Sequence, residues 1–197
     1  MDDLLHQARS GDGDAFAQLF QEHAPMLWKV AASVMDDEDE AADMLQETAI
    51  KAWRAIPRFD GKSALSTWLT RILLNRCFDE IRSKRRTIPF SDITQAVDAG
   101  EARLLVQGSA PAGVADACER MDMDATLARL GVSDRLILTL FYVNDLPISE
   151  IASVLDASEG AVRTRLARAR KRFKGIYERS ARFEVSASGM AVAEATI

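Results

Sequence analysis

ISEIASVLDASEGAVRTRLARARKRF, residues 148–173, decides the fold class. Its first eight residues set Ile151, Val154 and Leu155 at helical spacing, and only Asp156 and Ala157 separate them from Ser158. A serine there can accept a hydrogen bond from the free N–H groups of a helix start. Glu159 follows in the first turn, where the helix dipole favours negative charge. At about 100° per residue, Val162, Leu166, Ala169 and Phe173 fall within about 40° of one line and make an apolar stripe. Arg163, Thr164, Ala167, Arg168 and Lys171 take the opposite face, with Arg165, Arg170 and Arg172 at its flanks. Two short helices joined by so tight a turn, the second one basic and capped, form the pattern of a helix-turn-helix, whose second helix enters the DNA major groove.

A solvated face is the plain alternative for any basic helix. The tight turn upstream favours DNA. Ala167, small and central on the outer face, lets the helix backbone come close to a groove. Arginine can fork onto guanine or grip phosphate, and Thr164 offers a hydroxyl.

Outward from that stretch, the 197-residue chain has room for one or two small domains, and its 48% hydrophobic and 28% charged residues are those of a globular protein. The formal charge is -5, yet it is segregated. Residues 36–47, DDEDEAADMLQE, carry seven acids and no base. Residues 51–86 hold ten bases against three acids, a net +7, and residues 158–182 hold nine against two, again +7. Two basic blocks predict two anion-binding surfaces, because local potential and not net charge governs contact with nucleic acid. The first residues, MDDLLHQARSGDG, lack the basic-then-apolar pattern of a secretory signal, and no apolar run approaches the ~18 residues of a membrane span. The expected place of action is the cytoplasm, without membrane insertion. Cys77 and Cys118 stand far apart with no Cys-x-x-Cys pair, which argues against a disulfide framework or a zinc site.

The fold expected is all-α: two small helical domains joined by a flexible linker. Residues 1–86 form the first, with breaks at the acidic run and at PRFDGKS (Pro57 to Ser63). Residues 87–120 read as the linker, with a short helix around 101–106. Residues 121–182 form the second domain, and residues 183–197 a small-residue tail expected to be frayed or ordered by a partner.

In the first domain the helix containing residues 44–56 buries Ala41, Leu45, Thr48, Ala49, Ala52 and Ile56 and turns Asp43, Gln46, Glu47, Ile50 and Arg54 outward. An exposed Ile among acids suits a protein partner, with an acidic solvated face as the competing reading. The helix over 66–86 is apolar around most of its circumference (Leu69, Ile72, Leu73, Leu74, Cys77, Phe78, Ile81), which makes it the central helix. One polar line remains, Arg71, Asn75 and Arg82, with Trp68 adjoining. Trp68 alone reads as core; beside a basic line it also offers a flat surface to an unstacked base.

DMLQETAIKAWRAIPRFDGKSALSTWLTRILLNRCFDEIRSKRR, together with ISEIASVLDASEGAVRTRLARARKRF, resembles the ECF (extracytoplasmic-function) sigma factors of bacterial RNA polymerase, in order and through both domains. The resemblance implies that the first domain, region 2, binds the clamp helices of core RNA polymerase through Asp43, Gln46, Glu47, Ile50 and Trp53. It implies that the same domain melts the minus-ten element of promoter DNA. The loop Phe59, Asp60, Lys62, Ser63 corresponds to the family's specificity loop, into which a base is flipped, against an ordinary turn as the other reading. Trp68, Arg71, Asn75 and Arg82 complete that surface. The second domain, region 4, is implied to read the minus-thirty-five element through Ser158, Arg163, Thr164, Arg165, Ala167, Arg168, Lys171 and Arg172, and to touch the polymerase flap. A cognate anti-sigma factor is implied as a further partner. Two departures stand out: Ala42 where the family often has Glu, and Lys84 where some members have Arg.

Enzyme classes gain little support, since His6 and His23 are the only histidines and neither a Gly-rich phosphate loop nor a nucleophile elbow is present. No cofactor, metal or catalytic residue is expected. The stronger rival is a helix-turn-helix regulator acting beside the sigma subunit; an N-terminal receiver with alternating strands would mark it, whereas this N-terminal half reads as helical throughout.

Overall fold

The computed structural model describes residues 2–35, 37–84, 123 and 125–194, and every regular element among them is helical. Four helices form the N-terminal group: α1 (Asp2–Arg9), α2 (Gly13–Val34), α3 (Glu38–Ala55) and α4 (Leu65–Lys84), with a 3₁₀ turn at Ile56–Arg58. The C-terminal group comprises α5 (Val132–Leu138), a π-helical turn at Thr139–Val143, α6 (Ile148–Val154) and α7 (Glu159–Glu194). The expected linker, residues 87–120, and its short helix lie outside the described residues. Among those described, no helix is long and apolar enough to cross a membrane.

The helix starts follow from capping. Asp12 Oδ1 accepts from the N–H groups of Asp14 (3.0 Å) and Ala15 (3.1 Å), and Asp37 Oδ1 accepts from Asp39 (2.7 Å) and Glu40 (3.3 Å). Each aspartate satisfies two donors that the helix leaves unpaired, and the acids after Asp37 add favourable charge at the dipole's positive end. Part of the acidic run is thus a helix entry.

α4 is the central helix, as its all-round apolar pattern predicts. Leu69, Leu73, Leu74 and Cys77 are buried, and Ile72, Phe78 and Ile81 are partly buried. It packs on α2 and α3 within its own group and on α6 of the other. Burial pushes the Cys77 thiol up to about 12, so it is protonated and unreactive at neutral pH. On α3, Ala41, Thr48 and Ala52 are buried as expected; Met44 joins them, and Leu45 and Ala49 are only half-buried.

Three features depart from the sequence reading. The second domain reads as helical throughout, but within it the run SDRLILTLFYV widens to a π turn at Thr139–Val143 that buries Leu140 and leaves Tyr142 and Val143 exposed. α7 continues as backbone helix to Glu194, through the stretch read as a tail; residues 180–194 contain no proline and a single glycine, Gly189, so nothing local stops the helix. The two groups also share one contiguous buried cluster, with α2 against α5 and the π turn, and α4 against α6.

Leu73, fully buried at the centre of α4, sets a stability benchmark. Leu73→Ala is expected to cost about 2–5 kcal/mol, the usual range for a core leucine. Ile50→Ala, at an exposed position on α3, should stay within about 0.5 kcal/mol. Urea titration followed by circular dichroism compares the two.

Candidate nucleic-acid interface

The helix-turn-helix is built as its sequence predicts. The turn after α6 closes through Leu155 N–H donating to the Ile151 carbonyl (2.9 Å) and Ala157 N–H to the Ala152 carbonyl (3.0 Å). Asp156 takes the left-handed conformation, φ +49°, which a short polar side chain tolerates better than most. Ser158 Oγ then accepts from the Ala161 N–H at 3.2 Å, the expected cap. Val162, Leu166 and Ala169 are buried and Phe173 is partly buried, so the apolar stripe faces α5 and α6.

Arg163, Thr164, Ala167, Arg168 and Lys171 all stand exposed on the other face. Their surroundings differ. Arg163 Nη2 pairs with Glu159 one turn back at 2.8 Å, an exposed contact of the kind that contributes little to stability. Thr164 Oγ1 donates to the Gly160 carbonyl (2.9 Å), which leaves its oxygen lone pairs facing out. Arg165 is half-buried. Arg170 lies over the rings of both Phe141 and Tyr142, 5.2 Å from each centroid, and so clamps α7 to the π turn. Arg172 Nη1 reaches both carboxylate oxygens of Asp134 on α5, at 2.6 and 2.8 Å. Its guanidinium helps fasten α7 to α5, a role the wheel alone does not reveal.

On α4 the polar line is present, with Arg71 and Asn75 exposed and Arg82 half-buried. Arg82 Nη2 donates to Asp79 Oδ1 at 2.6 Å. Asp79 also faces Arg76 at 3.6 Å, and Arg76 pairs in turn with Glu47 of α3 through two nitrogens. Lys84 extends the ladder to Glu40 (2.5 Å) and Glu80 (3.6 Å), and the Glu40 carboxylate holds its ammonium above the ordinary lysine range. Glu47 is therefore turned towards α4, while Asp43, Gln46 and Ile50 remain on the open face of α3. Trp53 is 36% exposed and packs on Phe16, with ring centroids 5.3 Å apart.

The loop between α3 and α4 is anchored and not floppy. Phe59 is buried against Trp68 (5.2 Å between centroids) and its N–H donates to the Ile56 carbonyl. Phe59 thus leaves little surface for a base and holds the loop instead. Gly61 has φ +73°, a conformation that disfavours a side chain, and it carries the chain past Asp60, whose carboxylate accepts from the Lys62 N–H (3.2 Å) and faces Lys62 Nζ (2.7 Å). That partner lowers the Asp60 carboxyl and raises the Lys62 ammonium relative to their usual values. The contact is present at neutral pH; it weakens as acid protonates Asp60 below the ordinary carboxylate range or as base neutralises Lys62 above the ordinary lysine range. Ser63 is half-buried and Lys62 fully open.

Sequence reading missed Arg76. The signal was its place on the α4 wheel, off the polar line and so on the side that packs against the acidic helix.

Residues 19–87 match the Sigma-70 region 2 family, and residues 120–173 match Sigma-70, region 4. The chain is 31% identical over 172 residues to the ECF RNA polymerase sigma factor SigM of Mycobacterium tuberculosis, covering 86% of this chain and 81% of SigM. It is 29% identical over 174 residues to the ECF RNA polymerase sigma factor SigW of Bacillus subtilis, covering 85% and 91%. Among solved structures, CnrH in complex with the cytosolic domain of CnrY superposes with a TM-score of 0.62 at 27% identity, covering 89% of this chain and 95% of CnrH. RpoE of Bartonella quintana, solved with the anti-sigma factor NepR, gives 0.66 at 24% identity, covering 83% and 96%, a likeness of fold.

The two arginines at the ends of the basic face are expected to separate by stability. Asp134 keeps only 13% of its side chain exposed, so a double-mutant cycle of Arg172→Ala and Asp134→Ala should return a coupling of about 0.5–1 kcal/mol that shrinks with added salt. The same cycle on Arg163 and Glu159, both widely exposed, should return about half that or less.

Proposed function

The chain belongs to the ECF RNA polymerase sigma factors, and from that membership we propose how its two helical groups divide the work of starting transcription. It is an alternative sigma factor that directs RNA polymerase to promoters. Residues 1–86 act as region 2, residues 121–182 as region 4, residues 87–120 as the connection between them and residues 183–197 as a C-terminal extension.

Region 2 docks on the polymerase clamp helices through Asp43, Gln46, Ile50 and Trp53 on the open side of α3, with Glu47 contributing to the extent that it shares its carboxylate with Arg76. Ile50, 52% exposed between acidic neighbours, supports this placement: an apolar centre inside a charged rim is the ordinary anatomy of a protein interface. The minus-ten strand lies along Trp68, Arg71, Asn75 and Arg82 and over the loop Asp60, Lys62, Ser63, which Phe59 anchors from beneath. Arginines take the phosphates there and the loop's backbone donors take a flipped base.

Region 4 reads the minus-thirty-five element. The observation that carries this reading is the exposed face Arg163, Thr164, Ala167, Arg168, Lys171 on a helix whose first turn is capped by Ser158. Arg165 and Arg172 flank it; Arg172 serves phosphate only by sharing a guanidinium already held by Asp134. The protein acts in the cytoplasm, where polymerase and DNA are, and catalyses no reaction of its own. An anti-sigma factor regulates it, as the pairing of the related CnrH with CnrY suggests. A regulator acting beside another sigma subunit is not favoured, because the N-terminal group is helical and matches region 2.

Run-off transcription with core polymerase, with start sites mapped across a promoter set, tests the whole reading. Core alone should be silent, and core plus this chain should open and transcribe particular promoters; silence of both would refute it. Asp43→Lys with Ile50→Ala should weaken assembly with core while helical circular dichroism is retained. Arg168→Ala should cost about 1–3 kcal/mol on the matched minus-thirty-five duplex and relax discrimination. Lys171→Ala should weaken all duplexes alike and lower the salt slope by about one. An equal loss on matched and mismatched duplexes would reduce Arg168 to an electrostatic contact.

A further inference from the structure

An acid stands beside the reading face of α7. At about 100° per residue, Glu159 lies only about 40° from Arg163 around the helix, on the flank of that face and clear of the core stripe. Arg163 Nη2 donates to Glu159 Oε2 at 2.8 Å, and no other contact holds that guanidinium among the described residues. The order is the favourable one, with the acid one turn before the base. Arg170 and Arg172 are spent on packing, whereas Arg168 and Lys171 have no ion pair among the described residues. Of the bases on the reading face, Arg163 is thus the one tied to a neighbour on its own helix.

The pair also sits where the helix can come closest to DNA. Gly160, Thr164 and Ala167 fall within about 60° of one another at the middle of the face, and all three are exposed. A side-chain carbon at Gly160 would meet nothing nearer than Ser158 Oγ, at 4.0 Å, so the protein's own packing leaves that space open. Small residues there let the backbone of the first turns enter a groove, and the N-terminal part of a reading helix is the part that touches base edges. A carboxylate in such a place faces phosphates, which lowers affinity for every DNA sequence alike. Its benefit is position. An unheld arginine on a solvated face samples many rotamers and can swing to the nearest phosphate. One anchored through a single nitrogen keeps its other N–H groups in a fixed fork, the arrangement that matches guanine O6 and N7.

We propose that Glu159 is a positioning residue of the reading helix: it holds the Arg163 guanidinium over one guanine of the minus-thirty-five element and, through its negative charge, weakens binding to sequences that lack that guanine. The proposal rests on the sigma-factor reading above. On the matched site Arg163 bridges the Glu159 carboxylate and the guanine edge, so the acid stays neutralised. On a mismatched site the arginine either leaves its base contact unmade or swings away and leaves Glu159 to face the phosphates alone. Specificity then comes from a repulsive element as well as an attractive one. Ser158 has a separate role, since its Oγ serves the Ala161 N–H and not Arg163.

The test uses holoenzyme assembled from core polymerase and the full chain, with a duplex pool randomised over the minus-thirty-five element of a promoter mapped by run-off transcription. Sequencing the bound fraction gives a base preference at each position. Wild type should prefer guanine by about 10-fold or more at one position that Arg163→Ala flattens. Glu159→Ala should cut the preference at that same position to about 3-fold or less, leave the other positions unchanged and retain helical circular dichroism. Combined with Arg163→Ala it should change no position further, because the acid acts through the arginine. Should Glu159→Ala lose helicity, Glu159→Ser takes its place. The proposal falls if no position depends on Arg163, or if Glu159→Ala keeps the full preference. It falls equally if Glu159→Ala weakens every position alike, as loss of the helix start alone would, or acts undiminished in the Arg163→Ala background. Run-off transcription with the wild type keeps the two readings apart: silence refutes the sigma reading, whereas transcription together with an unchanged preference in Glu159→Ala refutes only the positioning role.

Discussion

A helix that is apolar on nearly every side must be covered on nearly every side, and α4 is that helix. α2 and α3 take two of its flanks, and α6 takes a third through Thr67 and Arg71. What remains is a narrow polar line, and its narrowness is what concentrates Arg71, Asn75 and Arg82 into one track. The loop before α4 depends on the same packing, since Phe59 reaches into the core beside Trp68 and so fixes where Asp60, Lys62 and Ser63 stand. Loss of α4 burial would therefore disperse that polar track along with the stability of the fold; the surface and the core are two sides of one helix.

Charge is arranged with the same economy. The acids of residues 36–47 repel each other in isolation, but the structure places the basic side of α4 against them, and the ladder Glu47, Arg76, Asp79, Arg82 with Glu40, Lys84, Glu80 neutralises part of both. Most of these pairs are half-exposed, each contributing little to stability on its own. Their effect is on position. Arg76 draws Glu47 off the open face of α3 and leaves Asp43, Gln46 and Ile50 there, and Asp79 holds Arg82 along the helix. The same logic governs α7, where Arg170 and Arg172 are spent on the π turn and on α5 while Arg168 and Lys171 remain free of ion pairs among the described residues.

Much of this was legible in the sequence. Helical period gave α3, α4, α6 and α7, the stripe Val162, Leu166, Ala169 and the cap at Ser158, because these depend on spacing along one chain segment. Tertiary pairing has no such signature. Nothing within α7 tells Arg172, bonded to Asp134, from Arg168, which stays open; that distinction belongs to α5, 30-odd residues earlier in the chain. Phe59 inside FDGKS read as a loop residue because its neighbours are loop formers, and only the facing Trp68 makes it core. The π turn was hidden for a different reason: LILTLFYV is apolar at almost every position, so a period of 3.6 and a wider one fit it equally well. The stretch read as a tail carries backbone helix to Glu194, which its alanines favour and its lone glycine does not break.

The contact between the two groups follows from the same packing. α4 is covered by α2, α3 and α6, and α2 also meets α5 and the π turn, so the buried side chains of both groups run together in one cluster. Around that cluster stand the hydrogen bonds of Arg71 with Ser153, Thr67 with Glu150 and Arg135 with Ser33. Apolar burial has no direction of its own, so bonds of this kind fix which faces meet while the area beneath them supplies most of the stability. Tyr142 and Val143, on the π turn between α5 and α6, remain exposed.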